Sequence, residues 1–183
     1  MVIAMVRAIY RWLLRLHPYC WQDQNCPHYL TKVKVGSHFV FAGAAKNLSA
    51  DAIAGANISL YVPLTTKRVR IPEGTPIKAL EMPDFGGVPA DWRQRIDEFV
   101  AMLEQGATIL FHCDGGHGRT GTLLASLIAM TEPETADPIA AVRQRYCKLA
   151  VETTAQAEAI FALRKQTLPP MYRGTFPGDF CAR

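Results

Sequence analysis

A cysteine and an arginine separated by five residues stand near the middle of the chain, within His112-Cys113-Asp114-Gly115-Gly116-His117-Gly118-Arg119-Thr120-Gly121. Glycines at 115, 116 and 118 let the backbone curl tightly and turn successive N–H groups inward. A sulfur at the entrance of such a ring of donors is held as the thiolate, the form that attacks phosphorus. The planar fork of Arg119 can grip two phosphate oxygens together, which a lysine cannot do.

Two elements must position these groups. Residues 107–111, Ala-Thr-Ile-Leu-Phe, form an apolar strand-like run ahead of the loop. Residues 122–130 form an apolar helix-like run behind it. A strand therefore enters a glycine-rich turn, and a helix begins at its end. The helix adds free N–H groups and the positive end of its dipole, completing a cradle for a tetrahedral dianion. A buried structural cysteine in a glycine turn is the plain alternative. The strand–loop–helix context with Arg119 at the far end favours chemistry.

His-Cys-x5-Arg-Thr-Gly resembles the signature loop of the cysteine-dependent protein tyrosine phosphatase superfamily, and size and layout are closest to its compact dual-specificity branch. The resemblance implies an α/β fold with a central, mostly parallel sheet flanked by helices. It implies a phosphomonoester hydrolase that works through a phosphocysteine intermediate, with neither metal nor cofactor. Cys113 would be the nucleophile. Arg119 and the loop Asp114, Gly115, Gly116, His117 and Gly118 would hold the phosphoryl group. Thr120 occupies the family's Ser/Thr position, where a hydroxyl stabilises the sulfur as it leaves. His112 is expected to brace the loop through hydrogen bonds to backbone.

Upstream, Met82-Pro83-Asp84-Phe85-Gly86-Gly87-Val88-Pro89 has the prolines and glycines of a loop. It is similar to the family's mobile acid loop, with Met82 in place of the usual tryptophan and one extra residue before Val88. Asp84 then matches the general acid that protonates the leaving oxygen. Asp91, which suits a helix N-terminus better, is the fallback. Downstream, Thr153 and Gln156 fit a capping box. The resemblance adds that Gln156 orients the water that hydrolyses the phosphoenzyme.

The rest of the chain bounds this reading. Its 183 residues suffice for one domain with a sizeable core. Hydrophobic content of 49% with 20% charged residues fits a folded protein. A net charge of +4 leans toward anionic partners without the dense basic patch of a nucleic-acid binder. Five irregularly spaced cysteines argue against a disulfide framework and for a reducing, cytoplasmic compartment.

The expected division is an N-terminal extension over residues 1–30, a catalytic domain over 31–168 and a tail or wrapping segment over 169–183. In the extension, Arg7, Arg11 and Arg15 share one helical face, and Val6, Ile9, Leu13 and Leu16 another. This amphipathic helix is too interrupted to span a bilayer. It offers either peripheral contact with an anionic membrane or, the reading preferred, a helix packed on the domain with its arginines in water. His17, Cys20, Cys26 and His28 lack the usual zinc-ligand spacing, so no metal site is expected.

Strands are expected at residues 38–43, 57–62, 76–81 and 107–111. Helices are expected at 50–54, 91–105, after the cradle, from Asp137-Pro138, and at 153–165. The basic cluster Lys67, Arg68 and Arg70 reads as a solvated edge, with docking of an acidic phosphorylated target as the sharper alternative. For substrate, phosphotyrosine protein is favoured, then phosphoserine or phosphothreonine, because Asp114 is the wrong sign for a crowded polyanion. A phosphoinositide or other small phosphoester is the alternative. A non-catalytic phosphate-binding module is the rival outside enzymology, although it would be expected to lose Cys113, Arg119 or Asp84.

Overall fold

The computed structural model describes residues 28–176 and 178–181. The amphipathic helix expected over residues 1–16, together with His17, Cys20 and Cys26, falls outside the described residues.

A four-stranded sheet carries the fold, in the order β1-β2-β4-β3. β1 (Thr31–Val35) and β2 (His38–Ala44) form an antiparallel hairpin. β2 and β3 (Leu60–Pro63) both run parallel to the central β4 (Ile109–Cys113). β4 is buried at every position, which is why its sequence is apolar on both faces until it reaches the site.

Helices cover the sheet. α1 (Ala50–Gly55) is capped by the Ser49 side chain, which accepts from Ala52 N–H. α2 (Trp92–Glu104) buries Trp92, Ile96, Phe99 and Leu103, the stripe expected from its 3–4 residue spacing. α3 (Gly118–Thr131) is buried along almost its whole length. Trp92 Nε1 donates to Ser126 Oγ at 3.1 Å, tying α2 to α3. α4 (Pro138–Arg145) begins as its sequence suggests: Asp137 accepts from the N–H groups of Ile139 and Ala140, and Pro138 fills the first helical position. α5 (Thr154–Ala162) is followed by a 3-10 turn, Pro170–Tyr172, and a short α6 (Gly178–Cys181).

Three details differ from the sequence reading. The β1 strand was not expected, although its buried Val33 and Val35 alternate with exposed lysines. Residues 76–81 do not form a full strand. They lie along β3 through Tyr61 N–H to Pro76 O, Lys78 N–H to Tyr61 O and Leu80 N–H to Pro63 O, with one regular bridge at Tyr61–Ile77. Pro72 and Pro76 cannot donate to a ladder, which limits the pairing. α3 also starts earlier than its apolar run, so Arg119 and Thr120 belong to its first turn. In the C-terminal segment Tyr172 and Phe176 are buried and stack on one another at 5.6 Å. Among the described residues no helix is long and apolar enough to cross a membrane.

Candidate active site

β4 delivers Cys113 to the loop at its last residue, 2% exposed. The Gly116 N–H donates to Cys113 Sγ at 3.2 Å. Gly116 has φ +81°, a conformation that favours glycine and aims this N–H at the sulfur. Arg119, 7% exposed, rises from the first turn of α3. Its Nη2 lies 2.9 Å from Asp84 Oδ1 and 3.9 Å from Asp114 Oδ1. Cys113, Arg119, Asp84, Gly115 and Gly118 line one pocket of about 110 Å³.

The acid loop leans on this pocket. Arg119 Nη1 reaches the Met82 carbonyl at 3.5 Å, and Met82 itself is buried in the core. Gly86 N–H bonds to Pro83 O at 3.2 Å, closing a turn around Asp84. Phe85 has φ 51° and lines the pocket beside Asp84. Asp91 is elsewhere: it stands at the N-cap of α2 and pairs with Arg95 at 2.8 Å.

Asp114 is held from outside the loop. Thr65 Oγ1 donates to its Oδ1 at 2.6 Å, and Lys67 Nζ sits 2.8 Å from its Oδ2. Partial burial works against the charge, but Lys67 and Thr65 prevail and hold this carboxyl below the usual range. The basic cluster is therefore more than a solvated edge, because Lys67 belongs to the support of the loop. Arg68 turns away to Thr65 O and Glu81.

His112 is fully buried in β4, next to Cys113. Burial pushes its imidazole down to about 4, so it is neutral. Tyr61 OH accepts from Val69 N–H at 3.2 Å and bonds His112 Nε2. The Cys113 carbonyl, 3.4 Å from Nδ1, can only accept, so the neutral ring carries its proton on Nδ1 and its Nε2 accepts from the Tyr61 hydroxyl. His112 thus braces the loop through a backbone oxygen.

Thr120 is buried, and its Oγ1 has no hydrogen-bond partner among the described residues. The hydroxyl expected at the sulfur is in the right turn of chain but does not bond Cys113 here. The His117 side chain turns toward His28 and Cys147.

Gln156 is also fully buried. Its N–H caps onto Thr153 Oγ1 at 3.2 Å, as a capping box requires, but its Oε1 reaches one residue further back, accepting from Glu152 N–H at 2.9 Å. Its Nε2 has no partner among the described residues and lies 3.3 Å from where a Cβ on Gly118 would stand.

Sequence reasoning missed Glu152, whose carboxylate lines the pocket. The turn that places it includes Val151 at φ 66°, an outlier for a β-branched residue. Arg143 holds that turn, donating to Ala150 O at 3.0 Å and Val151 O at 3.3 Å. Only the buried, left-handed backbone marks the position, and no local motif announces it.

The sequence model of the Swiss Army Knife protein, DSP-PTPase phosphatase domain family (PTP-SAK), matches residues 54–172. The chain belongs to this family. The match takes in the acid loop, the phosphate loop and Gln156. Among curated proteins, the PTP-SAK chain is 33% identical over 101 residues to an uncharacterized protein of Methanocaldococcus jannaschii, covering 55% of this chain and 67% of that protein. A second uncharacterized protein of the same organism is 32% identical over 98 residues, or 53% of this chain and 60% of its own length. The chain thus spans about two thirds or less of these relatives.

Solved structures share the fold. A kinase associated phosphatase with its catalytic cysteine changed to serine superposes with a TM-score of 0.60 at 18% identity, over 76% of this chain and 96% of that one. Tk-PTP in its active form gives 0.58 at 19% identity, over 73% and 96%. Human DUSP28 gives 0.54 at 16% identity, over 76% and 95%. The chain is a cysteine phosphatase domain of the dual-specificity type, and its mostly parallel sheet flanked by helices is the one the resemblance implied.

Proposed function

We propose that this domain hydrolyses phosphoprotein monoesters, phosphotyrosine first and phosphoserine or phosphothreonine after it, through a phosphocysteine on Cys113. One observation carries the reading. Arg119 stands in a single phosphate-sized pocket with Cys113, and the Asp84 carboxylate is bonded to its guanidinium.

In the first step the Cys113 thiolate attacks phosphorus as the bond to the leaving oxygen breaks. Arg119 and the loop N–H groups bind the equatorial oxygens where charge develops. Entry of the phosphoryl group takes the Arg119 fork from Asp84; the freed carboxylate takes up a proton brought by the phosphate monoanion or by water and passes it to the leaving oxygen as the P–O bond breaks. In the second step water attacks phosphorus, Asp84 takes the water proton, and the sulfur departs as thiolate. In this reading Thr120 Oγ1, buried with no hydrogen-bond partner among the described residues, donates to that sulfur. The Gln156 amide group, which accepts from Glu152 N–H, orients the water.

The charge of the rim supports a protein substrate over a phosphoinositide. Asp114 is kept anionic by Lys67 and Thr65, and Glu152 adds a second carboxylate to the wall. Both repel the additional phosphates of a lipid headgroup. Phe85 gives the mouth an aromatic surface suited to a phenyl ring. A panel of phosphotyrosine, phosphoserine and phosphothreonine peptides against phosphoinositide headgroups tests the reading. Higher kcat/KM on the peptides is expected, and preference for the headgroups would reverse the substrate assignment.

A further inference from the structure

Beside the phosphate loop, three side chains that the proposed chemistry does not use converge. His28 Nε2 lies 3.0 Å from His117 Nδ1, and Cys147 Sγ lies 3.1 Å from the same nitrogen. The three donor atoms all fall within 4.8 Å of one another, and all three residues are buried. They come from separate segments: the chain ahead of β1, the loop itself, and the residues after α4. A ring nitrogen has one hydrogen-bonding direction in its plane, filled by either a proton or a lone pair. Two partners crowd that direction here.

The surroundings hold the trio in place. The Tyr146 ring stacks on His28 at 4.8 Å, and its hydroxyl donates to Gly116 O at 2.7 Å. A Cβ on Gly116 would stand 2.9 Å from the His28 ring, so only glycine lets the imidazole pack this close. Leu149 N–H points at Cys147 Sγ from 3.3 Å, a donor that favours sulfur as an anion.

We propose that His28, His117 and Cys147 form a binding site for a borderline divalent transition cation, zinc above all. Two imidazoles and one thiolate are a donor set for zinc, whereas magnesium and calcium take oxygen ligands. With zinc bonds of about 2.0–2.1 Å to nitrogen and 2.3 Å to sulfur, tetrahedral donors stand roughly 3.3–3.6 Å apart. The observed separations bracket that spacing, so small side-chain shifts suffice. On binding, the Cys147 thiol gives its proton to solvent, and both imidazoles coordinate as neutral bases. The described residues supply three ligands, and a tetrahedral cation takes one donor more. The site borders the hydrolytic pocket, whose wall His117 also lines, and meets it again at Gly116: this glycine, against which His28 packs, is the residue whose N–H holds the Cys113 sulfur.

The test uses the full chain, freed of metal, with Cys113→Ser in the background to remove the competing thiolate. Zinc is titrated against a chromophoric chelator, and cobalt is used as the optical probe. One equivalent of zinc is expected, with a sulfur-to-cobalt charge-transfer band and a higher melting temperature on loading. Even outer-sphere changes weaken metal sites by about 10–100-fold, so Cys147→Ser and His28→Gln should each weaken zinc by at least that much. Cys147→Ser should also remove the charge-transfer band. Zinc affinity unchanged in both variants, or cobalt bound with no thiolate band in the parent chain, would overturn the site. The second readout needs neither variant to fold.

Discussion

Asp84 and Arg119 are joined across two loops: Oδ1 of the one lies 2.9 Å from Nη2 of the other. The aspartate side chain is 60% exposed and the arginine 8%, so the acid loop is latched onto the phosphate loop by a contact open to water on one side. A contact of this kind is worth little in stability. Under the proposed mechanism its consequence is geometric: a phosphoryl group that claims the guanidinium releases the Asp84 carboxylate beside the pocket, where it can carry a proton to the leaving oxygen.

Replacing that carboxyl separates the acid from the latch. Asp84→Asn keeps the shape and a polar contact but cannot deliver a proton. Its kcat on an alkyl phosphoester should fall by ~10²–10⁴-fold, the usual worth of an acid–base group. The loss should be smaller on a phosphoester whose leaving group needs no proton. Equal losses on both substrates would move the acid role elsewhere, with Asp91 the next carboxylate to examine.

Gly121 should tolerate nothing larger. A Cβ there would stand 2.7 Å from Ala150 Cβ and 2.9 Å from backbone atoms of Ala150 and Val151. Gly121→Ala should therefore cost about 1–3 kcal/mol of stability, the usual penalty of overpacking, and should lower kcat by shifting the turn of α3 that carries Arg119. Gly55→Ala, where no atom lies within 4 Å, is the control and should leave kcat unchanged. Denaturant titration and steady-state rates on the two variants check the contrast.

The buried imidazole of the residue next to Cys113 predicts a pH dependence of folding. His112 titrates near 6.5 when exposed and at about 4 in the folded protein. Between these values the unfolded chain takes up a proton that the folded chain refuses. Stability should therefore be intact above about pH 6.5 and fall as pH drops toward 4, by on the order of 3 kcal/mol. Glu132 acts in a lower window. Arg145 chiefly, with Gly36 N–H and Thr135, holds its carboxyl down to about 2, so the stability it adds is lost as pH falls from about 4.5 toward 2. Denaturant unfolding at pH 7.5 and 5 isolates the histidine. His112→Gln should flatten the slope, and an unchanged slope would assign it to another group.

The proposed mechanism makes Gln156 a positioning residue for the second step. Gln156→Ala should leave the first turnover fast and slow the later ones. The expected signature is a burst of leaving group equal to the enzyme concentration, followed by a reduced steady rate. A variant with no burst and a normal steady rate would confine Gln156 to its cap on Thr153.

The parts of the site that were legible in the sequence are those built from neighbours in the chain. Cys113 and Arg119 share one turn between β4 and α3, so their spacing carries their geometry. Asp84 was singled out by the likeness of its loop to the family's acid loop, since a Pro-Asp pair alone reads as a turn, and the structure brings it to Arg119. Asp137 and Ser49 announced their helices because capping is local. Glu152, Lys67 and the His28–His117–Cys147 trio were not legible, because tertiary packing alone brings them to the loop. His28 and His117 stand 89 positions apart, and no periodicity links them. The β1 strand was missed for a different reason. Only two of its five residues are buried, a pattern too short to stand out beside its lysines.

The central claim is that the Cys113 sulfur becomes covalently bonded to phosphorus. Rapid acid quench during turnover of a phosphotyrosine peptide, followed by peptide mass spectrometry, reads this directly. The account predicts one phosphoryl group on the peptide that contains Cys113, more of it in Gln156→Ala, and none in Cys113→Ser, which should bind substrate without turning it over. Full turnover by Cys113→Ser, or a phosphoryl group trapped on any other residue, would contradict it.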